Sequence, residues 1–373
     1  MQTTPPADAV TAPALAGWLR LERTDGVGLL TAHTLLEHFH TPEAIFAASR
    51  EQLLKLVKRD QADALLRPAD AELPALVDAA LAWQQLPGNR LLSLDHPDYP
   101  QALRDIAAAP LMLYVKGRIE LLAKPSLAVV GARNASAQGM LNAGRMAQAL
   151  SEAGLTIVSG LALGIDAAAH EGGLCGSGST IAVIGTGIDR IYPSRNAPLA
   201  RRIAEDGCIV SEYALGTPPL RDNFPRRNRV ISGLARGVLV VEAAAKSGSL
   251  ITARLAVSQG KDLYAIPGSI HATLAKGCHA LIREDGAKLV ETANDILTDM
   301  RMIAEGAPGT RLAPDDAFVD RVLDAIGDDP VRAEALAARL GQSAAELQGQ
   351  LLALELAGLL ERLPGGVFQR LRA

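Results

Sequence analysis

The feature that most constrains this chain is a series of short, continuous apolar runs in its middle. Each run leaves into glycine, serine, glutamate or proline. Leu127–Val130 ends at Gly131, Thr156–Val158 at Ser159-Gly160, and Thr180–Ile184 at Gly185. Cys208–Val210 ends at Ser211-Glu212, Val238–Val241 at Glu242, and Leu263–Ile266 at Pro267-Gly268. Segments with helical patterning separate them. Strands that are apolar throughout and alternate with helices predict a parallel sheet covered on both faces. Ligands of such sheets bind outside the carboxyl ends of the strands. Glycine and serine there let the backbone approach a ligand closely.

Two different regions flank this α/β core, and 373 residues are enough for two or three domains. Residues 1–12 are rich in Thr, Pro and Ala and predict a frayed start. From Trp18 to about Trp83 apolar residues recur at helical spacing. Gly26-Val27-Gly28 between two helical stretches is compatible with a helix-hairpin-helix turn, or with a plain glycine turn in a bundle. A proline-punctuated connector follows, with one strand expected at Leu111–Val115. Residues 301–312 predict a linker. The last 60 residues predict helices around 316–326, 331–340 and 343–357, then a Gly365-Gly366 hairpin, which together read as a winged helix. Its first half is acidic (Asp315, Asp316, Asp320, Asp324, Asp328, Asp329), which argues against a DNA-reading face there. The expected division is 1–86, 87–300 and 313–373.

Charge narrows the function. Lys and Arg number 37 and Asp and Glu 41, so the chain is net −4, and a nucleic-acid site has to be a local patch. No run of about 18 apolar residues occurs, so no membrane span is expected. Cys175, Cys208 and Cys278 are odd in number and far apart. They predict neither a disulfide framework nor a metal site, and suit a reducing cytoplasm.

The turns at the strand ends carry the candidate chemistry. Gly131-Ala-Arg133-Asn-Ala-Ser136 is not GxGxxG, and no acidic residue ends the second strand, so dinucleotide binding is disfavoured and no cofactor is expected. Gly131, Arg133 and the helix-capping Ser136 instead suggest an anion cradle. After Gly160, Asp166 and His170 share a helix face, where they are expected to brace the turn through an Asp–His hydrogen bond rather than act as an acid–base pair. The densest charge lies at 221–236, where five arginines accompany one aspartate. Phe224-Pro-Arg226-Arg227-Asn228-Arg229 within it combines a ring with cations, as phosphate contact plus base stacking requires. Lys246, Ser247, Gly248 and Ser249 open a further helix and can hold a phosphate or simply cap it. Lys276, before another helix, and Gly160 are further expected strand contacts, and Glu242, at the end of its strand, is expected to support the site together with Asp166 and His170.

These strings, in this order, resemble the DNA-processing protein A (DprA/Smf) family. The carrying residues are Val130–Arg133 with Ser136 and Gly139, Ser159–Ala162, Gly164–His170 and Thr180–Asp189 with Tyr192-Pro193 and Asn196. They continue with Ser211–Tyr213, Phe224–Leu234, Val241–Ala243, Ser247–Ala253 and Ile266–Gly268. Cys278-His279 departs from the Thr-Asn of many members, and Arg283–Gly286 carries an extra residue. The resemblance implies an extended Rossmann fold and a homodimer. It further implies a non-catalytic protein that binds single-stranded DNA, loads the recombinase RecA and protects DNA in natural transformation. Leu281, Ile282, Leu289 and Val290 are the expected dimer face. The alternative is a nucleotide-monophosphate phosphoribohydrolase on a related scaffold, whose Pro-Gly-Gly-x-Gly-Thr stretch is absent, since Ser269-Ile270 follow Pro267-Gly268.

Overall fold

The computed structural model describes residues 11–302, 317–341, 347, 351, 354–355 and 359–371. Of the start expected at 1–12 and the linker expected at 301–312, residues 1–10 and 303–312 lie outside the described residues, as does most of the helix expected at 343–357.

Six helices come first: α1 (Ala12–Glu22), α2 (Leu29–Phe39), α3 (Pro42–Ala47), α4 (Arg50–Leu53), α5 (Arg59–Leu65) and α6 (Leu73–Gln84). Prolines near the starts of α1, α3 and α6 cost no helical hydrogen bond there. The main sheet then uses β1 (Asn89–Ser93), β2 (Met112–Gly117), β3 (Ser126–Val130), β4 (Thr156–Ser159) and β5 (Thr180–Val183). It is completed by β6 (Cys208–Ser211), β7 (Gly237–Val240), β8 (Asp262–Ala265) and β9 (Lys288–Leu289). Between them run α7 (Gln101–Arg104), α8 (Ala137–Glu152), α9 (Ile165–Gly173), α10 (Ala197–Asp206), α11 (Asn223–Leu234), α12 (Ser249–Ser258) and α13 (Lys276–Glu284), and α14 (Ala293–Asp299) follows.

The strand order is β1-β2-β6-β5-β4-β3-β7-β8-β9. β6 through β9 in that order are parallel, and at one edge β2 alone runs the opposite way, antiparallel to both β6 and the outermost β1. The fold is therefore the expected mostly parallel α/β sheet. The connector supplies two strands where one was expected, because Asn89–Ser93 pairs with Met112–Lys116. The chain works outward from β3 to β6, then returns to place β7 on the other side of β3. That reversal puts a crevice between the carboxyl ends of β3 and β7, where open α/β sheets bind ligands.

Apolar residues fill both faces of the sheet. Leu113, Val115, Val130 and Val240 belong to a core with α11 and α12, while Leu127, Val129, Ile157 and Leu239 pack under α8 and α9. A third cluster runs from Leu15, Trp18 and Leu35 to Tyr114, Ala182 and Ile209. The N-terminal helices thus share a core with one face of the sheet, and Trp83 meets Tyr114 edge-on at 5.6 Å. At the other end, α15 (Ala317–Ile326) and α16 (Ala333–Leu340) pack with a three-stranded sheet of β10 (Val331–Arg332), β12 (Val367–Arg370) and β11 (Leu360–Leu363). This is the expected winged helix. Among the described residues no helix is long and apolar enough to cross a membrane.

Candidate nucleic-acid interface

The carboxyl end of the sheet has a buried floor and an exposed rim. The floor begins at the β3–α8 turn. Ser136 caps α8 by accepting from Gly139 N–H at 2.9 Å. Glu242, at the end of β7, accepts from the Ser136 backbone N–H at 2.9 Å and from its hydroxyl at 2.6 Å. A methyl group at Gly139 would fall on that carboxylate. The anion cradle expected of Gly131, Arg133 and Ser136 is therefore corrected: the protein's own Glu242 occupies the start of α8, and a second anion would meet its charge. Arg133 alone of the three points outward, and it is exposed.

The β4–α9 turn is braced from below, in a way that differs from the expected Asp–His bond. Asp166 accepts from Gly160 N–H at 3.1 Å and from Ala162 N–H at 3.4 Å. His170 Nε2 accepts from Leu161 N–H at 3.2 Å, and its Nδ1 meets the Thr180 hydroxyl at 2.7 Å. The two side chains thus hold consecutive backbone groups of one turn rather than each other. Asn196 holds the same turn by donating to Leu161 O at 2.9 Å. Gly164 sits at φ 76 with its α-carbon packed against the Ala132 and Arg133 carbonyls, where a side chain would not fit. Burial, reinforced by the Arg227 charge, lowers the His170 pKa to about 3, so the ring is neutral. Burial raises Asp166, opposed first by Arg227.

The arginine cluster divides by helical phase. Arg227 is 5% exposed and donates to the Gly160 carbonyl at 2.7 Å and to that of Val183. It lies so close to Gly160 that a methyl group there would come within 2.6 Å of the guanidinium. Burial lowers its pKa to about 10, with Asp166 acting in the opposite direction. Arg229 is half-buried, paired with Glu212 at 2.5 Å and donating to Ala108 O at 2.9 Å. Both are corrected as phosphate contacts: the Arg229 donors are committed to Glu212 and Ala108, and Arg227 is buried with one amino group on two carbonyls and its Nε without a hydrogen-bond partner. Arg221 and Arg226 are exposed, and Asn228 is half-buried.

The rim collects what the floor leaves free. Arg133 follows β3, Arg221 and Arg226 precede and open α11, Lys246 follows β7 and Lys276 follows β8; all are exposed. Lys276 also donates to the Ile270 carbonyl. Ser247 and Ser249 bond each other at 2.8 Å, and Gly248 lies open beside them. Residue type alone missed three members on the loop after β5: Arg190, Tyr192 and Arg195, all exposed. Their signal was positional, since that loop also leaves a strand's carboxyl end. Phe224 is half-buried, with the Arg133 Cζ 6.0 Å from its ring centroid.

The expected dimer face divides between buried and exposed side chains. Leu281 is 1% and Val290 2% exposed, both inside the chain's own core. Ile282 is half-buried and Leu289 is 51% exposed. Among the described residues no cluster of three potential metal ligands occurs. Burial pushes the Cys278 thiol pKa up to about 11, and His279 bonds the Gly268 carbonyl at 3.0 Å.

Comparison with known proteins agrees with this architecture. Residues 90–301 match the DNA recombination-mediator protein A family, and residues 306–366 match the DprA winged helix domain. Protein Smf of Escherichia coli is 40% identical over 80% of this chain and 82% of its own. The DNA processing protein DprA of Streptococcus pneumoniae is 51% identical over 54% of this chain and 71% of its own. The X-ray structure of the Streptococcus pneumoniae protein superposes with TM-score 0.66 and 37% identity, covering 78% of this chain and 98% of that one. A structure of Helicobacter pylori DNA processing protein A, described for its single-stranded DNA binding mode, gives TM-score 0.51 and 30% identity over 54% of this chain and 92% of that one. The nine-stranded sheet, the winged helix and these matches together make the chain a member of the DNA recombination-mediator protein A family.

Proposed function

We propose that this chain is a non-catalytic, cytoplasmic recombination mediator. It binds single-stranded DNA along the rim, passes the strand to RecA and protects incoming DNA in natural transformation. The observation that carries the reading is the division of labour at the sheet's carboxyl end. Asp166, His170, Arg227 and Glu242, the groups that could have done acid–base chemistry, are tied to backbone and to Ser136. What remains free is a set of exposed cations and aromatic surface, which suits phosphates and π-faces shared by every nucleotide. The Helicobacter pylori relative's single-stranded DNA binding supports the same ligand class. The phosphoribohydrolase alternative lacks its motif after Pro267-Gly268, and Glu242 is held by Ser136.

A homodimer is part of the proposal, and its face keeps the exposed Leu289 of the expected set and adds other exposed side chains. Ile251 and Val257 on α12 are 42% and 48% exposed. Arg254 and Asp285, 3.9 Å apart, bring α12 alongside the end of α13, which carries Ile282. The test is anisotropy titration of the full chain with labelled homopolymer strands across a salt series, with nucleoside-monophosphate hydrolysis assayed in parallel. Binding that weakens linearly in log salt with no base released is expected. Hydrolysis without strand binding refutes the reading. RecA delivery is checked separately, by RecA filament formation on strands already coated with single-strand-binding protein.

A further inference from the structure

One aromatic side chain stands out at this end of the sheet. Tyr192 is 46% exposed and is the single aromatic among the large apolar side chains exposed in the described residues. Exposed rings are scarce here, since the whole chain has 5 Tyr, 5 Phe and 2 Trp. Tyr192 lies on the loop after β5, between Arg190 and Arg195, both exposed. Its ring is 5.5 Å from that of Phe224, tilted by 46°. Phe224 is enclosed on other sides as well. An added methyl at Gly185 would lie 3.1 Å from its ring, and the Arg133 guanidinium carbon stands 6.0 Å from its centroid. Phe224 therefore has little free face, whereas Tyr192 is backed by Phe224 and open on the outside.

Resting on the single-stranded DNA reading above, the geometry points to Tyr192 as the ring on which a nucleobase of the bound strand stacks, with Phe224 as the positioning residue that fixes its tilt. Flanking arginines place phosphates on either side of that base. A ring held by another ring loses little further freedom when a base lands on it, so the stack forms at low entropic cost. Stacking uses a π-face and is tolerant of base identity. The phenol hydroxyl is not required for the stack.

The experiment uses the full chain and strands carrying 2-aminopurine, together with matched strands in which consecutive bases are replaced by abasic sites. Wild type is expected to quench 2-aminopurine and to bind the base-bearing strand more tightly than the abasic one. Tyr192→Ala is expected to weaken binding of the base-bearing strand about 5- to 150-fold, the range of one base–aromatic stack. It should also abolish the quench and leave abasic binding and melting temperature as they were. Tyr192→Phe restores both signals, and Tyr192→Leu does not. If wild type binds no strand, the function proposed above fails with this one. If wild type binds and Tyr192→Ala binds and quenches equally, the assignment of Tyr192 alone is overturned. It is overturned too if Tyr192→Leu behaves as wild type, because apolar bulk would then suffice.

Discussion

Arg226 and Arg227 are neighbours in sequence and belong to different parts of the molecule. Arg226 faces solvent at the start of α11, whereas Arg227 turns inward beneath the Gly160 turn. The floor and the rim differ in the same way throughout. Floor groups spend their hydrogen bonds on one another and on backbone, so they set the shape of the strand-end turns. Rim groups spend almost none, so their charge is available to a ligand. A cationic cluster in a sequence is thus two things at once, a buried brace and an exposed contact, and helical phase separates them.

The largest effect expected of this division is on the floor. Removing Arg227 leaves Asp166 buried without its strongest compensating charge and two carbonyls without that donor. Arg227→Ala should cost about 3–5 kcal/mol of stability, by analogy with the loss of one partner of a buried charge pair. Urea unfolding measures it. A variant of unchanged midpoint but flattened salt dependence of DNA binding would move Arg227 to the rim and break the comparison.

The next effect is in pH. His170 is neutral in the fold with its pKa lowered to about 3, against 6.5 unfolded. The unfolded chain therefore binds the extra proton first, and stability contributed by this site is lost as pH falls below 6.5. The slope approaches about 1.4 kcal/mol per pH unit until the folded pKa is reached. Glu22 has the opposite sign. Burial, with Glu212 nearby, raises it to about 8, so its contribution is lost as pH rises from 4.5 through 8. The His170 share is isolated by comparing wild type with His170→Asn at pH 7 and pH 5. The wild type should lose more stability than the variant on acidification, and equal losses would show that His170 takes up its proton in the fold.

Much of the fold was legible because β3 to β8 are apolar at nearly every position, and two-sided burial leaves that trace. β1 and β9 were not, since Asn89–Ser93 hides in a proline-rich stretch and Lys288–Leu289 has only two residues. In the candidate site, residue type named loops that the fold brings to the carboxyl end of the sheet, and often a role that burial excludes. Val230, Ile231 and Leu234 mark the buried stripe of α11, and Arg227 lies three, four and seven residues before them. That phase places Arg227 inside and would have excluded it as a phosphate contact. Leu281 fails for the same reason, standing one helical step from buried Cys278. Glu242 filling the start of α8 has no sequence signal, because it joins residues 106 apart.

A smaller effect belongs to the rim. Arg133→Ala, Arg226→Ala and Lys246→Ala should each flatten the slope of log K against log salt by about 0.7, the share of one phosphate on a single strand. Stability should change by no more than about 0.5 kcal/mol, as for exposed positions without a structural role. A variant among them that melts much earlier belongs with the floor.

Lys276 should give the smallest effect and sharpens the boundary most, because it has one foot in each region. It is exposed at the head of α13, yet its ammonium donates to the Ile270 carbonyl and so ties down the loop after β8. A carbonyl accepts a hydrogen bond without neutralising charge, so the ammonium still attracts phosphate. To touch one directly, however, it must leave Ile270, and the loop loses a tether worth about 0.5–1.5 kcal/mol. Lys276→Ala is therefore expected to flatten the salt slope by less than about 0.7 and to lower stability slightly. Lys276→Arg keeps both the charge and a donor and should return the slope to wild type. If Lys276→Ala takes the full phosphate share with stability unchanged, Lys276 is a rim residue whose contact with Ile270 is incidental. If it lowers stability and leaves the slope untouched, Lys276 is a brace like Arg227, and the floor extends out to the loop after β8.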